Sequence, residues 1–350
     1  MSLGPPFTHP LQPFKAHFVG STTIQSSPSH YQACIQSLLD TYRLDVKDNY
    51  ELSSGQVSTD SAYDMDSVEG IPLVINSFGW NKGLGAESIQ FIESQVDLTH
   101  VYTFESARAD STWSTGEGQS MQSSNLVFLE PIRRPKPDHG HADRRSLMTM
   151  SYFHHHKEVG EPTRWNTDLP LCAQPPWEVA WTDAIDGIIL LGNGSEDVAA
   201  SEVLRVLNGG IVALVEMEPS VPGILQENES TSIVPYTQGS SPPPPNRSNC
   251  VGMALVRGVR ASMGTLHVLT PVRPEILAQA RVLVMGEVKL PIWGMLDFRA
   301  GARSSDQIAG VKLASVPFLH WTGGPDGAAG AKKLRVRRNL MRKNQSLPHL

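Results

Sequence analysis

The chain has 350 residues, with 40% hydrophobic and 18% charged side chains and a formal net charge of −6 at pH 7. This length and composition allow one large domain or two ordinary ones with buried cores, and they exclude a wholly disordered chain. The net negative charge also argues against a uniformly basic surface, which non-specific nucleic-acid binding requires.

The three cysteines, Cys34, Cys172 and Cys250, lie far apart and form no CxxC pair. This spacing excludes a disulfide framework and a cysteine-rich zinc site, and it fits a reducing compartment. No apolar run approaches the roughly 18–20 residues that cross a bilayer, and the polar, proline-rich amino terminus lacks a signal-peptide core. We therefore expect an intracellular soluble protein that does not enter a membrane.

Basic residues concentrate at the carboxyl terminus. Residues 331–350 contain no acidic side chain and seven basic ones, namely Lys332, Lys333, Arg335, Arg337, Arg338, Arg342 and Lys343. Residues 1–330 therefore hold 22 basic against 35 acidic residues, a balance of −13, whereas the tail carries +7. An acidic body with a basic tail is typical of a protein that binds a partner through its end.

Apolar patterns in the first half alternate between strand and helix. Apolar runs predict strands at Lys15–Val19, Ile71–Ile75, His100–Phe104 and Asn125–Ile132. Helical spacing predicts one helix from Tyr31 to Tyr42 and another through Ile89, Ile92 and Val96. Residues 45–69 lack periodicity and indicate a surface insertion. Strands and helices in this order, with a continuously apolar strand among them, predict an α/β fold with a parallel sheet.

The second half changes to strands. A basic, proline-rich hinge at residues 133–143 precedes a helix at Arg144–His154, and a linker with several prolines follows at Glu161–Pro176. Strands are then predicted at Ile185–Leu191, Ile211–Glu216, Val251–Val256, Leu266–Thr270 and Val282–Trp293. They predict a small β-rich, barrel-like domain, in which Gln238–Pro245 is a disordered insertion.

A glycine-rich loop follows the Ile71–Ile75 run, at an edge of the predicted sheet where ligands of α/β proteins bind. Gly79 would let backbone approach a ligand, Trp80 offers a stacking face for a base, and Lys82 offers a charge for phosphate. The same residues also suit a tight strand-to-helix turn with a buried tryptophan. Spacing alone leaves both interpretations open.

Two further segments have a similar double interpretation. The hydroxyls of Ser21, Thr22 and Thr23 follow the first predicted strand and could join the same crevice, or they could form a turn or helix cap. Arg144 and Arg145 follow the hinge and could fold over bound phosphates, or they could lie on a solvated helix face.

Three kinds of site are not supported by the sequence. The histidines at 139, 141, 154, 155 and 156 have no nearby cysteine and no HExxH pattern, so we predict no metal site. No Ser-His-Asp constellation can be assigned. The chain contains no Gly-Lys dipeptide, so the P-loop motif GxxxxGK[ST] is absent.

Three motifs resemble the Clp-type polynucleotide 5′-hydroxyl kinases. PLVINSFGWNKGLG (Pro72–Gly85) is similar to their signature, with Asn81 where an apolar residue is usual. HFVGSTTIQSSPSHY (His17–Tyr31) resembles their clasp region, and ADRRSLMTMSYFH (Ala142–His154) resembles their lid, with Arg144 where leucine is usual. GPPFTHP, PWEVAWTDAIDGIILLGNGSEDVAASEVLRVLNGGIVALVEM, CVGMALVRGVRASMGTLHVLTPV and the terminal RRNLMRK extend the resemblance over nearly the whole chain, to the nucleolar, fungal-type branch of the family.

The resemblance implies a domain organisation. Residues 1–157 would be the carboxyl-terminal half of a P-loop (RecA-like) kinase domain, 158–175 a linker, 176–322 a β-rich carboxyl-terminal domain and 323–350 a basic tail. In the family, a further β domain, Walker A and a Walker B aspartate precede the GPPFTH stretch. We therefore expect this chain to be the carboxyl-terminal portion of a longer protein, and a parallel sheet lacking those strands would expose an apolar edge.

The resemblance also implies a reaction, the transfer of the γ-phosphoryl group of ATP to the 5′-hydroxyl of RNA with Mg²⁺. Arg145 would be catalytic and would neutralise charge on the transferred group. Trp80 would stack on the terminal nucleotide, Lys82 would lie near backbone phosphate, and the clasp hydroxyls of residues 21–23 would contact the acceptor end. No residue of this chain is assigned to ATP or to metal.

The family acts in the nucleolus on the second internal transcribed spacer of pre-ribosomal RNA. It works with a HEPN-type endoribonuclease, which makes the 5′-hydroxyl end and which the carboxyl-terminal tail contacts. The basic tail is thus expected to be a docking peptide, although basic composition equally fits a nucleolar-localisation or RNA-binding tail. The alternative function is a non-catalytic protein that holds the nuclease or the pre-ribosomal RNA.

Overall fold

The computed structural model describes residues 13–49, 71–77, 83–104, 125–130, 140–156, 164–165, 170–218, 234–295, 307–308 and 311–312. Met1–Leu296 forms one compact unit and Asp297–Leu350 a second, in which β11 (Gln307–Ile308) and β12 (Val311–Lys312) pair antiparallel. Most of the predicted insertion, the hinge and the basic tail lie outside the described residues. The predicted domain boundaries stay predictions.

The helices of the first half are confirmed. They are α1 (Pro28–Thr41), continued by a π-helical turn at Tyr42–Lys47, then α2 (Leu84–Gln95) and α3 (His141–Phe153). Proline suits the first turn of α1 because the amide hydrogen it lacks would have no partner inside the helix. The Arg43 guanidinium donates to the Gln95 carbonyl oxygen, which ties the end of α1 to the end of α2.

The parallel arrangement of the first half is confirmed at one strand pair. β1 (His100–Phe104) and β2 (Asn125–Leu129) run parallel, with His100 opposite Asn125 and Phe104 opposite Leu129. Tyr102, Phe104 and Phe128 are largely exposed on this pair. Parallel strands are normally covered on both faces, so this apolar exposure is unusual; the expected apolar edge stays a prediction.

The strand predicted at Ile71–Ile75 is wrong. Residues 71–77 belong to no strand, and the side chain of Val74 is 87% exposed. The segment is held by the Tyr42 hydroxyl, which donates to the carbonyl oxygen of Ile71. An apolar run becomes a buried strand only where neighbouring strands accept and donate its backbone hydrogen bonds, and no described strand pairs with this segment.

The strand predicted at Lys15–Val19 is also wrong, as is its place in the parallel sheet. Residues 16–19 belong to no strand, and Phe18 packs on the sheet of the second half. The amide of Cys250 donates to the Ala16 carbonyl oxygen over 2.8 Å, and the Ala16 amide donates to Asn249 Oδ1 over 3.1 Å. This segment therefore packs on the large sheet, which lies far away in the sequence.

The second half forms a six-stranded sheet in the order β5-β9-β8-β7-β10-β6. The strands are β5 (Trp177–Ala180), β6 (Gly187–Leu190), β7 (Ile211–Met217), β8 (Ser248–Arg260), β9 (Thr265–Leu269) and β10 (Val282–Met285). All neighbours are antiparallel except β6 and β10, which run parallel. The β-rich prediction is confirmed, but the sheet is open and mixed, and the barrel-like form is wrong.

Short elements connect these strands. The two-residue strands β3 (His155–His156) and β4 (Arg164–Trp165) pair with each other, outside the large sheet. The helices are α4 (Trp181–Ala184), α5 (Val203–Leu207) and α6 (Pro274–Leu277). Single 3-10 turns occur at Ile24–Ser26, Leu171–Ala173, Ser195–Asp197, Pro245–Arg247, Ala261–Met263 and Ile292–Met295.

The two faces of the large sheet bury different groups. Ile211, Ala213 and Val215 alternate along β7 and therefore share one face, which also carries hydrophobic groups from the first half of the chain. Val212 and Leu214 point to the opposite face and pack in a core built around Trp181, whose side chain is 1% exposed. The sheet is thus apolar on both sides.

Two further predictions in the second half are corrected. The long strand at Val282–Trp293 ends at Met285, because the chain then turns so that the backbone of Gly286 meets that of Gly20. The stretch Gln238–Pro245 is an ordered strap: Gln238 Nε2 donates to the Glu196 carbonyl oxygen over 2.8 Å, and the Pro245 carbonyl oxygen accepts from Ser37 over 3.0 Å. Proline-rich composition restricts a chain but does not prevent such contacts.

None of the described helices combines the length and the apolar character that crossing a bilayer requires.

Candidate functional site

Residues 16–26, which we call the clasp segment, lie on the face of the large sheet that Ala213 and Val215 share. Phe18 packs against this face, together with residues of β6 and β10. The segment is also held near its middle, because the Glu287 amide donates to the Gly20 carbonyl oxygen over 2.6 Å. The backbone bonds at Ala16 and Gly20, with the ring of Phe18 between them, fix the course of residues 16–20.

The predicted site residues Ser21, Thr22 and Thr23 form the turn of the clasp segment. Gly20 has a φ of +80°, which reverses the chain at little steric cost only for glycine. The Thr23 amide donates to Ser21 Oγ over 3.2 Å, and Ile24 is buried at 1% exposure immediately afterwards. Thr22 is exposed at the top of the turn, so its hydroxyl is the most accessible of the three.

A half-buried histidine anchors the clasp segment to α1. His17 Nε2 lies 3.1 Å from Ser37 Oγ, and the Ser37 hydroxyl donates to the Pro245 carbonyl oxygen over 3.0 Å. Since that hydroxyl has a single hydrogen, His17 Nε2 is the donor of the first bond. Burial, with help from Lys15 and His30, lowers the pKa of His17 from 6.5 to about 4. His17 is therefore neutral at physiological pH.

A cavity of about 130 Å³ lies beside the turn of the clasp segment. Hydroxyls and a glycine contribute to its wall: Ser21, Ser26, Ser27, Ser195, Ser240 and Gly192. It opens beside the carboxyl ends of β6 and β10, which reach the same edge because these two strands are parallel. Crevices at the carboxyl ends of parallel strands are common ligand sites in mixed and parallel sheets.

The helix α3, which we call the lid helix, packs on the same face of the sheet through its carboxyl-terminal part. Met150 and Phe153 are buried against Ile211 and residues of β8 and β9. The Tyr152 hydroxyl accepts from the Met253 amide over 2.7 Å and lies 3.3 Å from the Met253 carbonyl oxygen. Burial raises the pKa of Tyr152 to about 12, so this anchor stays protonated.

The amino-terminal half of the lid helix faces solvent. Arg144 and Arg145 are both exposed, and the helix begins with the Gly140 amide donating to Asp143 Oδ2 over 2.8 Å. The described contacts include no hydrogen bond between Arg145 and the clasp hydroxyls. The structure thus gathers residues 21–23 at one turn and presents Arg145 separately, on the free end of a helix fixed to the same sheet face.

Two predicted site residues, Trp80 and Lys82, lie outside the described residues. Among the described residues, no group of three or more histidine, cysteine or acidic side chains could hold a metal ion, and the absence of a metal site stays a prediction. The sequence has no GxxxxGK[ST] motif, so it offers no P-loop lysine or hydroxyl to hold ATP with Mg²⁺.

Sequence reasoning missed Glu287, which contacts the predicted clasp turn. Its carboxylate lies 3.1 Å from Ser21 Oγ and 3.0 Å from Ser26 Oγ, across 266 and 261 residues of sequence. No spacing rule links positions so far apart. The sequence prediction placed Glu287 inside a strand at Val282–Trp293, so no local signal pointed to it.

One family model matches the part of the chain that contains the clasp segment and the lid helix. Residues 4–155 match the family model of the mRNA cleavage and polyadenylation factor CLP1 P-loop. This range contains the clasp segment and the lid helix, so both belong to a P-loop domain region of the CLP1 type.

The similarity to individual curated proteins extends over nearly the whole chain. The chain is 34% identical to polynucleotide 5′-hydroxyl-kinase GRC3 of Cryptococcus neoformans, over 98% of this chain and 48% of that protein. The chain is also 26% identical to polynucleotide 5′-hydroxyl-kinase grc3 of Schizosaccharomyces pombe, over 97% of this chain and 46% of that protein. Over nearly its whole length the chain is similar to polynucleotide 5′-hydroxyl kinases of the GRC3 type, and it spans about half the length of the curated relatives it matches.

Acid should weaken the folded state through His17. Its pKa is about 4 in the folded chain and near 6.5 when unfolded, so between these values only the unfolded chain binds the proton. The free energy of unfolding should therefore fall as pH drops from 7 towards 4. Urea unfolding at pH 7 and pH 5 should show this loss, and His17→Gln should reduce it.

The control for that experiment is His100→Gln, which changes an exposed ring on β1. Both variants should be compared with the unchanged chain at the same ionic strength. An identical dependence on pH in His17→Gln and in the unchanged chain would contradict the assignment of a half-buried, neutral His17.

Proposed function

We propose that this chain forms the RNA-acceptor part of an ATP-dependent polynucleotide 5′-hydroxyl kinase. The observation that carries the proposal is that the clasp segment and the lid helix are fixed to one face of the same sheet. Catalysis of phosphoryl transfer depends mainly on positioning and on charge stabilisation. A rigid platform that holds an RNA-binding turn and an arginine-bearing helix suits that task.

Four of the predicted residues would contact the substrate in this proposal. The exposed Thr22 hydroxyl contacts the sugar-phosphate chain at the acceptor end, and Trp80 stacks on the terminal base while Lys82 pairs with a phosphate. Arg145 contributes positive charge where the phosphoryl group meets the RNA 5′-hydroxyl. Its exposure on the solvent-facing half of the lid helix supports this role, since the guanidinium is available to a substrate.

ATP and Mg²⁺ enter the proposal through the family alone. The kinase function requires a P-loop lysine and a magnesium-binding hydroxyl, and residues 1–350 contain no GxxxxGK[ST]. Those groups would have to come from polypeptide outside this sequence. The residues described above would then act on the RNA end and on the charge that develops beside it.

The cellular role follows from the family resemblance. We propose that the enzyme acts in the nucleolus, on the second internal transcribed spacer of pre-ribosomal RNA. A HEPN-type endoribonuclease would supply the 5′-hydroxyl end and bind the basic tail. The uneven charge distribution of the sequence supports binding of this partner, because seven cationic side chains lie in residues 331–350.

The kinase proposal predicts a strong effect of Arg145→Ala. In the full-length gene product, transfer of phosphate from ATP to a 5′-hydroxyl RNA should fall about 100-fold or more, as expected when a charge-stabilising arginine is lost. Arg144→Leu is the matched control, because Arg144 is the neighbouring exposed arginine on the same helix. Its rate should stay within about twofold of the unchanged protein.

Equal rates in Arg145→Ala and Arg144→Leu would remove Arg145 from the mechanism. A full-length gene product that neither binds ATP nor labels RNA would instead favour the second function, a non-catalytic protein that holds the nuclease or the RNA. The missing P-loop motif is the observation that favours this alternative.

The docking role of the tail predicts a dependence on its sequence. Deleting Ala331–Leu350 should abolish copurification of the nuclease, and so should a scrambled tail with the same composition. A merely basic tail would act through charge and counterion release, so the scrambled version would then work as well as the natural one. Retained copurification with the scrambled tail would contradict a docking peptide.

A further inference from the structure

Four hydrogen bonds converge on Glu287, the second residue after β10. Its Oε2 accepts from Ser21 Oγ over 3.1 Å and from Ser26 Oγ over 3.0 Å, and its Oε1 accepts from the Asn193 amide over 3.4 Å. Its own amide donates to the Gly20 carbonyl oxygen over 2.6 Å. One residue just beyond the large sheet thus holds both ends of the turn that contains residues 21–23.

These contacts favour the ionised carboxylate. The bonds from Ser26, from the Asn193 amide and from Ser21 lower the pKa of Glu287. Hydrogen bonds to a charged acceptor are stronger than bonds between neutral groups. The contact therefore operates at neutral pH, although the side chain is exposed and water competes for it.

The Ser21 hydroxyl is committed to this contact. It has one hydrogen, which it donates to Glu287, and it accepts from the Thr23 amide over 3.2 Å. Ser26 Oγ also lies 3.4 Å from Ser21 Oγ. The Ser21 hydroxyl oxygen therefore has several hydrogen-bond partners around it. Ser21 consequently has no hydrogen left to donate to a phosphate oxygen, whereas Thr22 beside it is exposed.

The backbone around Glu287 is built for close approach to the clasp segment. A side chain at Gly286 would collide with the backbone of Gly20. A Cβ at Gly192 would lie 2.8 Å from Glu287 Cγ, too close for any other residue without rearrangement. These two glycines let the carboxylate reach Ser21 and Ser26 from the edge of the sheet.

We propose that Glu287 is a positioning residue for RNA binding: it holds Ser21 and Ser26 so that the clasp turn keeps the shape that presents Thr22 to the RNA end. Ser21, which the sequence predicts as an RNA contact, acts instead as an internal support of that turn. This inference rests on the proposed RNA kinase function. Glu287 itself touches the clasp segment and not the reacting atoms.

The test compares Glu287→Ala, Glu287→Gln and the double variant Ser21→Ala/Ser26→Ala in the full-length gene product. The matched control is Glu275→Gln, an exposed carboxylate on α6. Two measurements are made on each protein: amide hydrogen exchange across residues 20–26, and steady-state phosphorylation of a 5′-hydroxyl RNA oligonucleotide with ATP.

Glu287→Ala should speed exchange of the Thr23 amide at least about fivefold and raise KM for RNA by about five- to tenfold, consistent with the loss of two charge-assisted bonds. Both kcat and KM for ATP should stay within about twofold. Glu287→Gln keeps one acceptor oxygen, so its Thr23 exchange rate and its KM for RNA should lie between those of the unchanged protein and Glu287→Ala. On the Ser21→Ala/Ser26→Ala background, Glu287→Ala should add less than a further twofold, because the interaction is already lost.

Unchanged exchange at residues 20–26 in Glu287→Ala would overturn the positioning role. So would a full five- to tenfold rise in KM on the Ser21→Ala/Ser26→Ala background, since Glu287 would then act independently of these serines. If the unchanged protein does not phosphorylate RNA, the proposed kinase function fails, and the exchange measurement alone still decides whether Glu287 holds the clasp turn.

Discussion

The face of the six-stranded sheet that carries Ile211, Ala213 and Val215 is the surface on which the clasp segment and the lid helix depend. Phe18 packs at one part of this face, and Met150 and Phe153 pack at another. Because alternate residues of one strand form the face, the spacing between the two contacts is set by β7 itself. Two segments that are about 125 residues apart in sequence thereby acquire a fixed common support.

This support gives the carboxyl-terminal sheet a role in the kinase proposal. A turn that binds RNA and a helix that bears an arginine must be held in register for phosphoryl transfer. Hydrogen bonds fix the orientation of the packed segments. Glu287 holds the clasp turn through Ser21, and the Tyr152 hydroxyl holds the lid helix at Met253. The parts that face a substrate, Thr22 and Arg145, are the exposed ones.

Elements that depend on local pattern were predictable from the sequence. The helical spacing around Cys34 and the apolar run at His100–Phe104 gave elements close to those observed, because periodicity reports which face of a short element is buried. The run at Ile71–Ile75 has an equally apolar pattern but forms no strand. A strand requires partners for its backbone, and the pattern of one segment carries no information about them.

Contacts remote in sequence account for the other differences. Lys15–Val19 was assigned to the parallel sheet, yet its bonds go to Asn249 and Cys250. The proline-rich strap was predicted to be disordered, but the Pro245 carbonyl oxygen accepts from Ser37 on α1. At the site, the turn of residues 21–23 was recognised from its hydroxyls, while its partner Glu287 had no local signature. Local chemistry indicated the candidate residues, and only the fold supplied their partners.

The most direct test of the shared support is native-state hydrogen exchange of the full chain that carries Phe18→Ala. The control is Phe14→Ala, which removes an exposed ring from a nearby position in the same sequence. The amides of Cys250 and Glu287 donate to the clasp segment, so Phe18→Ala should speed their exchange at least about tenfold. The Met253 amide, bonded to Tyr152 on the lid helix, should exchange as before. Unchanged exchange at Cys250 and Glu287 would contradict the claim that the sheet face holds the clasp segment.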